Sequence, residues 1–275
     1  MKKVNIGKIL TYVVLTLGAL LMIFPFYWMI ATSFKTAAEY SSYPPTWFPS
    51  NWLNFSNFVE AFKAAPFAKY FLNSVVVTVI SVSINSFTTI CASFAFSRLR
   101  FKGREFLFGC LLSFMMVPFE MLVITNYQTV SKLKIINTLA VLIVPFTTSI
   151  FYTYILKGFF DTISDSLYYS ARIDGASNWK YLWRVMVPIA KPSLVTIILL
   201  NTIASWNSYL WTSLTITSDV NRTIPLGLTV FMTDAGSNQQ LQLAAATVTV
   251  LPMIILFIFA RKYIVNGVAR GGIKG

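Results

Sequence analysis

Long apolar runs separated by short polar stretches set the pattern of this chain. Six of them, at residues 9–30, 71–96, 106–124, 138–159, 194–214 and 241–259, are each about as long as a helix needs to cross a bilayer. The pattern predicts an all-α membrane protein with six transmembrane helices in a single domain, 1–275. An even number of spans puts both termini on one side. Two polar stretches stand out, the loop at about 160–193 and the tail at 261–275. Pro25, Pro118, Pro145 and Pro252 fall inside the apolar runs, and each predicts a kink because it removes a helix hydrogen bond.

Composition agrees with the pattern. Hydrophobic residues make up 56% of the chain and charged residues 11%, against about 25% charged in an average soluble domain. The net charge of +13 would suggest nucleic acid in a soluble protein, but its distribution points elsewhere. With the termini in the cytoplasm, sixteen of the 22 Lys and Arg residues fall inside and six outside, so the charge reads as an orientation signal. No histidine occurs, which removes imidazole bases, His-ligated metals and Ser-His-Asp triads. Cys91 and Cys110 both lie in apolar runs and read as packing residues. The first run has no A-x-A-like cleavage site and is expected to stay as an anchor. Between residues 35 and 69, Pro44, Pro45, Trp47, Pro49, Trp52 and Phe55 predict either an interfacial aromatic belt or a docking surface for an outside partner.

Candidate chemistry inside the spans is sparse. Glu120 is the one formally charged residue well within a run, about 21 Å along a helix begun at Phe106, near the outer interface. Ion-coupled carriers use midplane carboxylates or broken-helix ion sites, and these spans offer almost none. ATP binding would need a G-x-x-x-x-G-K-[ST] loop; the nearest approach, Gly267 to Gly272, is followed by Ile273. The 160–193 loop is more informative. Asp165 to Ile173 predicts an amphipathic helix stopped at Gly175, and a second helix capped by Ser177 ends near Pro188. From the residues alone, an interfacial hairpin and a docking element stand side by side.

The run Ala171-Arg172-Ile173-Asp174-Gly175-Ala176, followed by Val187-Pro188 and Pro192, resembles the EAA loop of ABC-importer permeases. The resemblance is to the MalG-like, binding-protein-dependent type I branch that serves carbohydrate uptake. Further stretches agree in order along the chain: Ser33-Phe34-Lys35, Phe94 to Arg104 with Arg98 and Gly103, Met116-Val117-Pro118, Asn137-Thr138-Leu139, Trp206-Asn207, Arg222 to Pro225, and Gly267 to Gly275. Three positions depart from the family. Tyr169 stands where the motif opens with glutamate, with Ser170 in place of the first alanine, and Thr125 replaces a proline before Tyr127.

The resemblance implies the type I permease fold and a transport subunit, not an enzyme, in a bacterial or archaeal inner membrane. Its implied partners are a second homologous permease, two cytoplasmic ATPase subunits, an external solute-binding protein, a carbohydrate substrate and membrane lipid, with no nucleic acid. This chain would hold no cofactor or metal; ATP and Mg would sit on the ATPases. Tyr169, Ser170, Ala171, Arg172, Asp174, Gly175 and Ala176 would form the ATPase-docking coupling loop, and Gly267, Gly271 and Lys274 would touch the ATPase from the tail. Glu120, Asn201, Trp206 and Asn207 are candidate pathway residues, because amides and an indole can bond to and stack on a sugar ring. Interhelical hydrogen bonding is the competing role for them. A permease of the same architecture for a non-sugar solute, and a multi-pass membrane enzyme or scaffold, are the alternatives.

Overall fold

The structure is a computed structural model that describes residues 6–233 and 236–271, and it is helical almost throughout. The first half holds α1 (Ile6–Ser33), α2 (Ala37–Tyr40), α3 (Ser56–Ala64), α4 (Phe67–Arg98), α5 (Arg104–Met115), α6 (Phe119–Lys132) and α7 (Leu139–Ile143). Then come α8 (Ile150–Asp161), α9 (Asp165–Ile173), α10 (Asn178–Tyr181), α11 (Val187–Ile189), α12 (Lys191–Trp206), α13 (Leu210–Thr215) and α14 (Ile224–Gly227). A two-residue antiparallel pairing of β1 (Met232–Thr233) with β2 (Gly236–Ser237) precedes α15 (Gln239–Gly271).

Among the described residues, three helices are long and apolar enough to cross a membrane, Gly7–Ser33, Phe67–Arg98 and Gln239–Phe259. Three pairs reach that length only together: Arg104–Met115 with Phe119–Lys132, bent by 100°, Leu139–Phe146 with Ile150–Asp161, bent by 40°, and Asn178–Ile189 with Lys191–Trp206, bent by 82°.

Two interruptions fall where Pro118 and Pro145 predict kinks, and another, after Trp206, has no proline behind it. The run 106–124 is two helices, because Pro118 disfavours helical backbone at Val117 and itself caps α6 in an extended conformation (ψ 139°). Glu120 therefore sits exposed in the first turn of α6 and not 21 Å along a straight helix, at an end where a carboxylate is favoured by the helix dipole. The run 138–159 is interrupted where Pro145 enters a 3₁₀ turn, Val144–Phe146, and α8 restarts with the Ser149 hydroxyl accepting from Tyr152 N at 3.2 Å. The run 194–214 ends early: α12 stops at Trp206 and α13 is a separate short helix. Pro25 and Pro252, by contrast, lie inside unbroken helices.

The chain divides into two compact units, one comprising the residues up to Ala68 with Gly227–Pro252, the other Lys69–Leu226 with Met253 onward. In the first, the end of α1 is tied to the segment after it. Asn57 donates from Nδ2 to the carbonyls of Ser33 (2.9 Å) and Lys35 (2.7 Å), and Phe34 packs among Trp52, Phe55 and Phe58. Lys35 is buried, donates to the Thr46 carbonyl at 2.5 Å and lies 4.2 Å over the Trp28 ring. Burial lowers its pKa, and the Glu39 carboxylate opposes that shift. Glu39 closes a capping box with Thr36 and accepts from Ser50 N at 2.7 Å. Donation from Ser50 and Thr36 holds its carboxyl down at about 2. The aromatic stretch is thus folded against the end of α1, with Trp47, Phe48, Trp52 and Phe55 still exposed.

The second unit has two apolar centres. One gathers Phe94, Leu156, Phe160, Tyr181, Leu182 and Met186, and the other gathers Val77, Val130, Val141, Leu142, Trp211 and Ile216. A stripe of buried polar residues on α4 runs beside both: Ser74, Thr78, Ser81, Asn85, Thr89 and Ser93, spaced by three or four residues and so on one helix face. Its side chains meet backbone groups of neighbouring elements, two of them at a helix break. Asn85 Nδ2 donates to the Phe146 carbonyl (2.9 Å) and Thr88 to the Thr147 carbonyl (2.7 Å), both at the break between α7 and α8. Ser93 donates to Thr153 O, Ser74 accepts from Ile224 N, and Asn73 at the head of the stripe donates to Val220 O and Arg222 O. No water in a bilayer core can satisfy those carbonyls, so an interrupted span needs such a neighbour.

Candidate functional site

The predicted coupling loop is a rigid helical hairpin. Ser164 caps α9, which ends at Asp174 with Gly175 in the left-handed region (φ +75°). Gly175 N donates to Arg172 O (3.1 Å) and Ala176 N to Ala171 O (2.9 Å), the paired bonds of a Schellman stop. Arg172 reinforces the turn by donating to the Ala176 carbonyl at 3.0 Å. Ser177 then caps α10 by accepting from Lys180 N. After one turn the backbone widens into a π-helical stretch, Leu182–Met186, that Pro188 ends by taking away the next donors.

One side of the hairpin is bolted to the unit. Tyr168 donates to Asn178 Oδ1 and stacks edge-on against buried Tyr181, and Ala171 packs on the same core. Arg98, buried at the end of α4, donates to the carbonyls of Phe160 in the last turn of α8 (2.7 Å) and of Ile163 just after it (2.5 Å), and lies 3.6 Å from Asp165 at the start of α9. A single guanidinium thus joins α4, α8 and α9. The other side faces outward: Tyr169, Ser170, Arg172, Asp174 and Gly175 are exposed, and Ile173 is 86% and Trp179 57% accessible. A Cβ placed on Gly175 meets nothing within 4 Å. Tyr169 accepts from Arg100 Nη2 at 3.0 Å, so the residue standing for the motif glutamate is held by a cation of its own chain. Ile173 and Trp179 were not singled out in the sequence; an apolar residue just before a glycine stop was the available signal.

The pathway candidates do not converge. Asn201 is buried and lines a cavity of about 130 Å³ with Val77, Ser81, Leu142, Phe146 and Thr223 among its walls. Trp206 is buried edge-on against Phe71. Asn207 is exposed and its side chain donates to Ile203 O at the end of its own helix, while Glu120 is exposed at the start of α6. Neither lines the Asn201 cavity. Gly267 and Gly271 lie in α15, and Lys274 is outside the described residues. Cys91 and Cys110 are free and half-buried.

Helices long enough to cross a membrane, singly or as bent pairs, with a capped and exposed two-helix loop among them, describe a polytopic membrane protein. Residues 85–270 match the family described as "Binding-protein-dependent transport system inner membrane component", and the chain belongs to that family. It is 34% identical over its whole length to the whole of the diacetylchitobiose uptake system permease protein DasC of Streptomyces coelicolor. It is 33% identical, over 99% of both chains, to the inner membrane ABC transporter permease protein YcjP of Escherichia coli, and 31% identical to the arabinooligosaccharides transport system permease protein AraQ of Halalkalibacterium halodurans, over 95% of this chain and 96% of that one. Its fold matches a chain in the crystal structure of a bacterial ABC transporter that imports the acidic polysaccharide alginate, with a TM-score of 0.85 over 96% of this chain and 98% of the other, at 22% identity. The protein is a multi-pass inner-membrane permease subunit of an ABC importer and not an enzyme.

Proposed function

We propose that this chain forms half of the membrane pathway of an ATP-driven bacterial importer for an oligosaccharide. Relatives named for diacetylchitobiose and arabinooligosaccharides, similar over nearly their full lengths, support the substrate class. In this reading each bent pair counts as one crossing, which with the three continuous helices makes six, and both termini lie in the cytoplasm where the Lys and Arg excess falls. A second homologous permease completes the pathway, an external binding protein delivers the sugar, and two ATPase subunits bind ATP and Mg.

The observation that carries this reading is the α9–α10 hairpin. Its exposed tip offers Ile173 and Tyr169 to a partner, while Arg98 and Tyr168 bind its back to the helices beneath. A push on the tip therefore moves helices as a block, which is what coupling ATP-driven closure to alternating access requires. The Gly267, Gly271 and Lys274 tail adds a second contact to the ATPase. Asn201 and Trp206 are the pathway candidates that face the protein interior, whereas Asn207 and Glu120 serve their own helix ends in this conformation.

Reconstitution in liposomes tests the proposal. Labelled oligosaccharide should accumulate only when the second permease, the ATPase, ATP and the binding protein are all supplied. Uptake by this chain alone would overturn the reading, and a binding protein specific for a non-sugar solute would replace the substrate class while leaving the architecture intact.

A further inference from the structure

Among the buried polar residues of α4, Ser81 is set apart. Asn73, Ser74, Thr78, Asn85, Thr89 and Ser93 all bond to protein groups, whereas Ser81 Oγ has no partner in the protein. Two other buried atoms share that condition and the same cavity, Asn201 Nδ2 from α12 and Thr223 Oγ1 from the segment before α14. All three residues are at least nine-tenths buried. Buried hydroxyls and amides left unbonded are rare and costly, and three around one space of about 130 Å³ mark a place built for a ligand that supplies their bonds.

We propose that this cavity is a hydration site that holds a small cluster of ordered water, bridging Ser81, Asn201 and Thr223. The chemistry of the walls selects the ligand. Among the described residues no charged side chain lines the cavity, which disfavours an ion; the other walls are the apolar Val77, Leu142, Phe146 and Ala204 and the hydroxyl-bearing Ser205, Ser208 and Thr212. Two hydroxyls that can both donate and accept, with an amide that donates, suit a neutral molecule of the same versatility. One water needs about 10–15 Å³ of such space, so the cavity has room for several. Ser208 lies within the interruption between α12 and α13, and Thr212 lies on α13. Water there gives the interrupted backbone exchangeable partners, so that the joint can change its angle without stranding a buried group.

High-resolution cryo-EM of the assembled transporter in lipid nanodiscs, without solute, is the test. Density peaks within hydrogen-bonding distance of at least two of Ser81 Oγ, Asn201 Nδ2 and Thr223 Oγ1 are expected. In Asn201→Leu, which fills the space with an apolar side chain of similar size, the peaks should vanish. Should that variant fail to assemble, Ser81→Ala and Thr223→Val should each remove the peak bound to the lost hydroxyl. X-ray hydroxyl-radical labelling should modify Leu142 and Phe146 faster than other buried side chains, and several-fold slower in Asn201→Leu. No peaks and no enhanced labelling, or peaks that appear only with sugar present, would overturn the proposal, the second by making the site a substrate subsite. Uptake enters neither readout, so the outcome is separable from the fate of the import reading.

Discussion

Gly175 concentrates the local argument in one residue. Its φ of +75° lies where a β-branched side chain is strained by about 1–3 kcal/mol, yet the space before it is open within this chain. Asparagine tolerates that region far better than valine. With the complete transporter, Gly175→Asn should therefore retain solute-stimulated ATP hydrolysis, and Gly175→Val should lose it while the permease pair still co-purifies. Normal stimulation in the valine variant would remove the hairpin from the coupling path. Tyr169 makes a complementary point. Its hydroxyl is engaged by Arg100, so Tyr169→Glu would redirect that guanidinium into an ion pair within the chain before any pairing with an ATPase.

At the scale of elements, the same face of α4 that looks weakly polar in sequence holds the broken spans together. Asn85→Leu keeps size but leaves Phe146 O without its donor, at a cost of about 1–3 kcal/mol. The thermal midpoint of the purified complex should fall accordingly, and Thr88→Val, which takes the donor from Thr147 O at the same break, should lower it as well. Outside the spans, the Glu39 clamp predicts a pH dependence. The folded pKa of about 2 lies below the ordinary 4.5, so the clamp's stabilisation is complete above about pH 4.5 and is lost as pH falls toward about 2. Proteolysis by an acid-active protease between residues 36 and 54 should rise across that window, and Glu39→Gln should be cut readily at all pH values. A flat profile in the wild-type chain would refute the clamp.

Some of this was legible beforehand for local reasons. Gly175 and Ser177 declare a stop and a cap through their own chemistry, and Pro118 and Pro145 mark interruptions because the ring leaves no choice. The angles of 100° and 40° were not legible, since neighbours decide how far a freed backbone turns. Hydropathy ran unbroken from 194 to 214 and hid the end of α12 at Trp206, where a single Asn-Ser pair was the cue. The α4 stripe escaped notice because serine and threonine are nearly neutral in hydropathy, and their partners lie some sixty residues away, as with Asn85 and Phe146.

For the whole molecule, orientation is the property that charge controls. In a background lacking Cys91 and Cys110, a membrane-impermeant maleimide should label Ser41→Cys in intact cells and Asp174→Cys only after permeabilisation, both residues being exposed. The reverse labelling would invert the assignment of sides.

The α4 stripe also bears on the order in which the protein can be made. Asn85 leaves the ribosome 61 residues ahead of the carbonyl it serves, a wait of roughly 3–12 s at ordinary rates of synthesis. Through that interval α4 carries a file of unmatched polar groups past the lipid, with its own backbone as their temporary host. When α7 and α8 arrive, their exposed carbonyls and the waiting donors on α4 each relieve the other. The polar residues of α4 thus offer the break between α7 and α8 the donors that lipid cannot supply.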